Sequence, residues 1–117
     1  MPRETSYRKY LLTINNPKEH GFDHALIRQN LEQLKGCIYW CLCDEVGEEG
    51  TPHTHIYAAF KNQVMFSTIK QRFYAAHIDA ARGSHSENRD YIRKEGKWRD
   101  TDQAETNLPA PCLLYTS

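Results

Sequence analysis

No apolar run in this chain approaches the length needed to cross a bilayer, and the opening Met1-Pro2-Arg3-Glu4 lacks the apolar stretch of a signal peptide. An intracellular protein without a membrane partner is the expectation. No C-x-x-C pair occurs among the four cysteines, which removes the common redox and zinc-ribbon patterns. Cys41 and Cys43 share a strand face but stand too close to pair easily. Either Cys37, Cys41 and Cys43 build a zinc site or they are reduced, buried thiols, and the second reading is preferred. No G-x-x-x-x-G-K-[ST] is present, so the chain carries no nucleotide-hydrolysing phosphate loop of that class.

Basic residues are missing from two stretches. Residues 36–60 hold Asp44, Glu45, Glu48 and Glu49 with no Lys or Arg, and residues 100–117 hold three acids and no base. The formal net charge of +0 therefore conceals a pattern, since residues 61–99 carry nine Lys/Arg against Asp79, Glu87, Asp90 and Glu95. An acidic centre beside a basic second half suits a site that binds a cation and, through it, a polyanion. An ordinary solvated surface would give the same charges. With 117 residues, 26% charged and 11% aromatic, the chain reads as one folded domain.

Apolar periodicity supplies the elements. Tyr7 to Asn15 alternates as a first strand and stops at Asn15-Asn16-Pro17. Asp23 caps a helix whose stripe is Ile27, Leu31 and Leu34, with Phe22 stapling onto Ile27 and Gly36 closing it. Cys37 to Glu45 is a second strand, a turn at Val46-Gly47-Glu48-Glu49-Gly50 reverses the chain, and His53 to Phe60 is a third. A short helix from Ser67 to about Tyr74, a strand from His77 to Arg82, and a helix opened by the capping box Ser84-His85-Ser86-Glu87 and running through Lys94 follow. Lys97-Trp98-Arg99 would form a short last strand. This order predicts an α+β fold, an antiparallel sheet packed with helices on the ferredoxin or RNA-recognition-motif plan.

Three segments follow from composition. Residues 1–99 form the domain, residues 100–111 a polar, acidic linker, and residues 112–117, Cys-Leu-Leu-Tyr-Thr-Ser, a tail foreign to the rest. The codons TGT CTC TTA TAC ACA TCT would encode that tail and match a transposon end used in preparing sequencing libraries, so a non-native tail is expected.

Two constellations carry chemistry. His53 and His55 are two apart on a strand, so both imidazoles share one sheet face. Glu45, ending the neighbouring strand, is the preferred third ligand over Glu48 and Glu49. Two imidazoles and a carboxylate suit Mn²⁺ or Mg²⁺ with positions open for phosphate oxygens. An H-x-H pair is also common on ordinary surface strands. The second constellation is Tyr91 with Lys94, three apart on one helix face. Ionising a free tyrosine at pH 7 costs about 4 kcal/mol. An ammonium at ~4 Å contributes up to about 4 kcal/mol at an effective dielectric of about 20. Lys94 is thus large enough in effect to ready a Tyr91 phenolate; a half-buried tyrosine beside a solvated lysine is the alternative.

Set in order, Leu11-Leu12-Thr13-Ile14-Asn15-Asn16-Pro17, Pro52-His53-Thr54-His55-Ile56-Tyr57 and Tyr91-Ile92-Arg93-Lys94-Glu95-Gly96 resemble the three motifs of the HUH endonuclease superfamily. The resemblance is greatest to the replication initiators (Rep) of circoviruses and of related circular single-stranded DNA viruses and plasmids. It covers roughly residues 7–99. Thr54 departs from the pattern, standing where a bulky apolar residue is usual.

The resemblance implies origin recognition by the first motif, metal ligation by Glu45, His53 and His55, and a tyrosine nucleophile at Tyr91 assisted by Lys94. It implies nicking and joining of single-stranded DNA at an origin stem-loop through a 5′-phosphotyrosine, which starts rolling-circle replication. A downstream ATPase/helicase domain would complete the full-length protein. The host nucleus is the expected location for a eukaryotic virus, the cytoplasm for a bacterial plasmid or phage.

Candidate DNA contacts are Arg8, Lys9, Thr13, Asn15, Asn16, Lys70, Arg72 and Arg93, with Arg82, Arg89 and Lys97 as further phosphate contacts. Tyr57 or Trp98 would stack on an unpaired base. His20, His24, His77 and His85 read as ordinary surface or core histidines. Two other readings remain open at this point: a non-catalytic single-stranded nucleic-acid-binding module of the same fold, and a single-tyrosine transposase or relaxase.

Overall fold

The computed structural model describes residues 5–46, 49–84, 86–88 and 105–107. Within them, strands β1 (Ser6–Asn15), β2 (Cys37–Val46), β3 (Pro52–Met65), β4 (Ala76–Ala80) and β5 (Glu105–Thr106) form one sheet in the order β4-β1-β3-β2-β5. Every pairing is antiparallel. Helix α1 (His24–Gln33) links β1 to β2, and α2 (Phe66–Arg72) links β3 to β4. The first four strands thus take the ferredoxin-like arrangement expected from the sequence.

Alternation decides which side each residue serves. Tyr10, Leu12 and Ile14 of β1, Trp40 and Leu42 of β2, Ile56, Ala58 and Phe60 of β3 and Ile78 of β4 bury into one cluster with Ile27, Leu31 and Ile69 of the helices. Each fully buried Ile or Leu there contributes about 1.5–3 kcal/mol. The residues between them turn to the other face, where Leu11, Tyr39, Cys41, Cys43, Tyr57, Ala59 and Ala81 form a second, smaller cluster. Both metal-ligand candidates of β3 lie on that second face.

Helix α1 begins as its sequence dictates. Asp23 is extended and its carboxylate accepts the Leu26 N–H at 2.8 Å. Phe22 is buried in the same cluster as Ile27, stacked on Phe73. The helix ends at Gln33, one residue short of Leu34, and the chain turns into β2 through Gly36 at φ 79°. The capping box at Ser84 is present: the Ser84 hydroxyl accepts the Glu87 N–H at 3.1 Å, and Glu87 accepts the Ser84 N–H at 3.4 Å. Residues 86–88 are helical; the rest of that expected helix and the strand at 97–99 lie outside the described residues.

Several boundaries differ from expectation. Strand β3 runs five residues beyond Phe60, because Val64 and Met65 pair with Tyr7 and Ser6 past a register break at which β3 carries the extra residues. The extension is mostly exposed and does not alternate, so its apolar pattern carries no strand signal. Strand β4 starts and ends slightly earlier than His77–Arg82. Within the stretch expected to be linker, residues 105–107 dock on β2. The Asn107 side-chain oxygen accepts the Trp40 N–H at 2.8 Å, and the Thr106 hydroxyl donates to the Trp40 carbonyl at 2.8 Å.

The turn after β1 depends on Asn16, whose φ of 51° is left-handed. Asn tolerates that region better than other residues with a Cβ. Its N–H donates to the Pro52 carbonyl at 2.8 Å, joining the turn to the start of β3, and Pro17 then opens a short 3-10 helix. Asn16→Ala is expected to lower stability by about 1 kcal/mol and Asn16→Gly by less than about 0.5 kcal/mol, measured by urea denaturation.

Candidate metal centre

The antiparallel register of β2 and β3 places Glu45 opposite His53 and Cys43 opposite His55. All three ligand candidates consequently face the same side. The Glu45 carboxylate oxygen Oε2 stands 3.0 Å from His55 Nε2 and 3.4 Å from His53 Nε2. One ligand atom from each of the three residues lies within 4.8 Å of the others. The histidine side chains are 17% exposed and Glu45 37%, so solvent and a substrate can reach the cluster.

The outer nitrogens of both rings are held. His53 Nδ1 meets the Thr51 carbonyl at 3.2 Å. A carbonyl only accepts, so Nδ1 carries the proton, and in the neutral ring Nε2 then turns a lone pair toward the Glu45 carboxylate. His55 Nδ1 meets the Thr13 hydroxyl at 3.2 Å, the partner that a Nε2-ligating histidine needs to fix its ring. Cis ligands of a small octahedral ion also stand about 3 Å apart, given metal–oxygen distances of about 2.1 Å. The donor set therefore fits a divalent ion of the Mg²⁺ or Mn²⁺ kind.

Other predicted site residues take varied places. Thr13 sits beside His55, and Asn15 pairs with His53 in register. Asn16 forms the adjoining turn. Lys9 donates to the Gly83 carbonyl at 2.6 Å, and Arg8 is exposed where the β1–β3 register breaks. Lys70 and Arg72 belong to α2, on the opposite side of the sheet, where Lys70 donates to the Ala76 carbonyl and Arg72 to Gln33. They do not converge on the histidines. Tyr57 is on the ligand face but fully buried against Tyr39, ring centroids 6.0 Å apart, so it offers no surface to a base. Glu49 is exposed in the turn. Tyr91, Lys94, Arg93, Arg89, Lys97, Trp98, Glu48 and His85 lie outside the described residues.

A cavity of about 320 Å³ opens beside His55, lined by Thr13, Asp79, Arg82, Glu87 and Asn88 among others. It lies between the ligand face and the start of the helix at residue 86.

The family described as "Putative viral replication protein" matches residues 7–95. The chain belongs to this family. It is 34% identical over 103 residues to a replication-associated protein of Pigeon circovirus, covering 81% of this chain and 29% of the relative. It is 33% identical over 90 residues to that of Beak and feather disease virus, covering 76% of the chain and 29% of the relative. A Para-Rep C2 of Subterranean clover stunt C2 alphasatellite is 34% identical over 89 residues, 75% of the chain and 31% of the relative. The chain thus spans about three-tenths of the length of these curated relatives.

Among the described residues, the cysteines do not make a rival metal centre. Cys37 packs against the helix-side cluster, whereas Cys41 and Cys43 belong to the other face. Burial pushes the Cys37 thiol up to about 12, against a weaker lowering from its contact with the Tyr39 carbonyl. Sequence reasoning missed the anchors of the histidines and a second polar group behind them. Asp44 accepts from the Thr54 hydroxyl at 2.7 Å and contacts His24 at 2.9 Å. The signal was available, because a register that sets Glu45 opposite His53 also sets Asp44 opposite Thr54.

Two outcomes are expected. Glu45→Ala weakens Mn²⁺ binding by at least about 10-fold, read from the free Mn²⁺ electron paramagnetic resonance signal. Cys37 resists iodoacetamide at pH 8 in the folded protein and reacts after denaturation, mapped by peptide mass spectrometry, because its thiolate is scarce below its raised pKa.

Proposed function

We propose that this chain is the origin-nicking domain of a rolling-circle replication initiator of circular single-stranded DNA. The observation that carries the reading is the convergence of Glu45, His53 and His55 on one reachable sheet face, in a chain of the viral replication protein family. A divalent ion held by these three residues would polarise a scissile phosphate and offset charge on the leaving oxygen. The protein's own groups do the rest. Thr13 and the Thr51 carbonyl keep the two imidazoles aimed. Asn15 and Asn16, beside the ligands at the end of β1, are suited to grip the neighbouring backbone, and the cavity beside His55 has room for a nucleotide.

Tyr91 is the proposed nucleophile. Its phenolic oxygen bonds to phosphorus, the bond from phosphorus to the 3′ oxygen breaks, and the phenol proton ends on that 3′ oxygen. Lys94 eases loss of the proton. The products are a free 3′-OH that can prime synthesis and a 5′-phosphotyrosine that a later 3′-OH can reverse, so strands are joined without an external energy source. Replication-associated activity of the longer relatives and a downstream ATPase/helicase domain extend this reading to the full-length protein.

A binding module that stacks bases on its sheet has little support. Tyr39 and Tyr57, the aromatics of the second-face cluster, are fully buried. The test uses labelled single-stranded DNA carrying a stem-loop with a randomised loop, with Mn²⁺ or EDTA. A metal-dependent cut leaving protein on the 5′ end, abolished by Tyr91→Phe, is expected. Tight binding with no covalent product across the library would refute the transesterase and favour the binding module.

A further inference from the structure

Behind the ligand face, on the helix side of the sheet, polar groups line up where an apolar core would otherwise continue. Thr54 sits between His53 and His55 and is 1% exposed. Its hydroxyl donates to Asp44 Oδ1 at 2.7 Å, across the strand pair and directly beside the Glu45–His53 rung. The same Asp44 oxygen is 2.9 Å from His24 Nε2 on α1. His24 Nδ1 in turn is 2.7 Å from Glu105 of β5, which also accepts from Arg28 at 2.8 Å.

We propose that Thr54 and Asp44, anchored by His24, are positioning residues for the metal centre. Each lies next in sequence to a metal-ligand candidate, with its side chain on the reverse face. The pair therefore locks β2 to β3 at the rung between those bearing the ligands. A lost bond here frees the two strands to shear or splay near the hairpin turn, where the ladder has only the Glu45–His53 and Val46–Pro52 rungs left. Ligand atoms standing 3.0 and 3.4 Å apart tolerate little of that motion. His24 and Glu105 hold Asp44 in the rotamer that meets Thr54. The device needs a hydroxyl at this position, since an apolar residue there has no group for Asp44 to accept from.

This inference rests on the metal reading of the site, and its test separates the two. Thr54→Val keeps shape and charge, so a change in metal affinity reports geometry rather than field. Mn²⁺ affinity of metal-free protein is measured by electron paramagnetic resonance, beside a circular-dichroism melt. Thr54→Val should bind Mn²⁺ on the order of 10-fold more weakly while still folded, and Thr54→Ser should stay within about two-fold of the parent. His24→Ala, which changes no residue of β2 or β3 but removes the partner of Asp44, should weaken binding in the same direction by a smaller factor and serves if Thr54→Val fails to fold. Unaltered Mn²⁺ affinity in folded Thr54→Val, or in His24→Ala when that variant stands in, overturns the inference even if melting temperature falls. Equal losses in the Val and Ser variants overturn it as well. A parent that binds no Mn²⁺ overturns the metal centre itself and this inference with it.

Discussion

The register between β2 and β3 is the constraint on which the site depends. An antiparallel pair offers only one choice per residue, and slipping by one would carry every side chain to the opposite face. Here the helix-side core holds that choice. Leu42 opposite Ile56 and Trp40 opposite Ala58 are buried beneath α1 and α2, and a slip would trade them for Cys41, Cys43 and the histidines. The apolar residues thereby fix the chemistry on the far side of the sheet without touching it.

Two polar systems use the two faces of the same rungs. On one face Glu45, His53 and His55 converge, with Thr13 and the Thr51 carbonyl behind the rings. On the other, Asp44, Thr54 and His24 form a bonded series that reaches Glu105. An unpaired hydroxyl as buried as that of Thr54 would cost about 1–3 kcal/mol. Thr54 and Asp44 avoid this by pairing with each other, so polarity extends through the sheet at its ligand-bearing end.

What was legible in the sequence was what alternation and capping encode. β1, β2 and the first half of β3 are apolar, β-branched and aromatic runs bounded by turn residues, and Asp23 and Ser84 carry their caps in plain residue types. The trio that could hold a metal was legible too, because parity places His53 and His55 together and a hairpin turn returns Glu45 to them. Alternation says which face a side chain takes but not what covers that face, and so Tyr57 looked available although it is fully buried. Charge along the chain says nothing of depth or side, which is why Lys70 and Arg72 resembled phosphate contacts while α2 holds them across the sheet. His24 was unremarkable by neighbours in sequence; its partners Asp44 and Glu105 lie far along the chain.

The Asn107 side chain does on β2 what another strand would do. Its oxygen takes the Trp40 N–H and its amide donates to the Ile38 carbonyl at 3.3 Å, next to the two-residue pairing of Glu105 and Thr106 with Leu42 and Cys41. β2 is apolar over most of its length, the kind of border along which one copy of a protein can zip onto another. By occupying those groups with a short, polar, carboxylate-bearing segment, the chain denies that border to its neighbours.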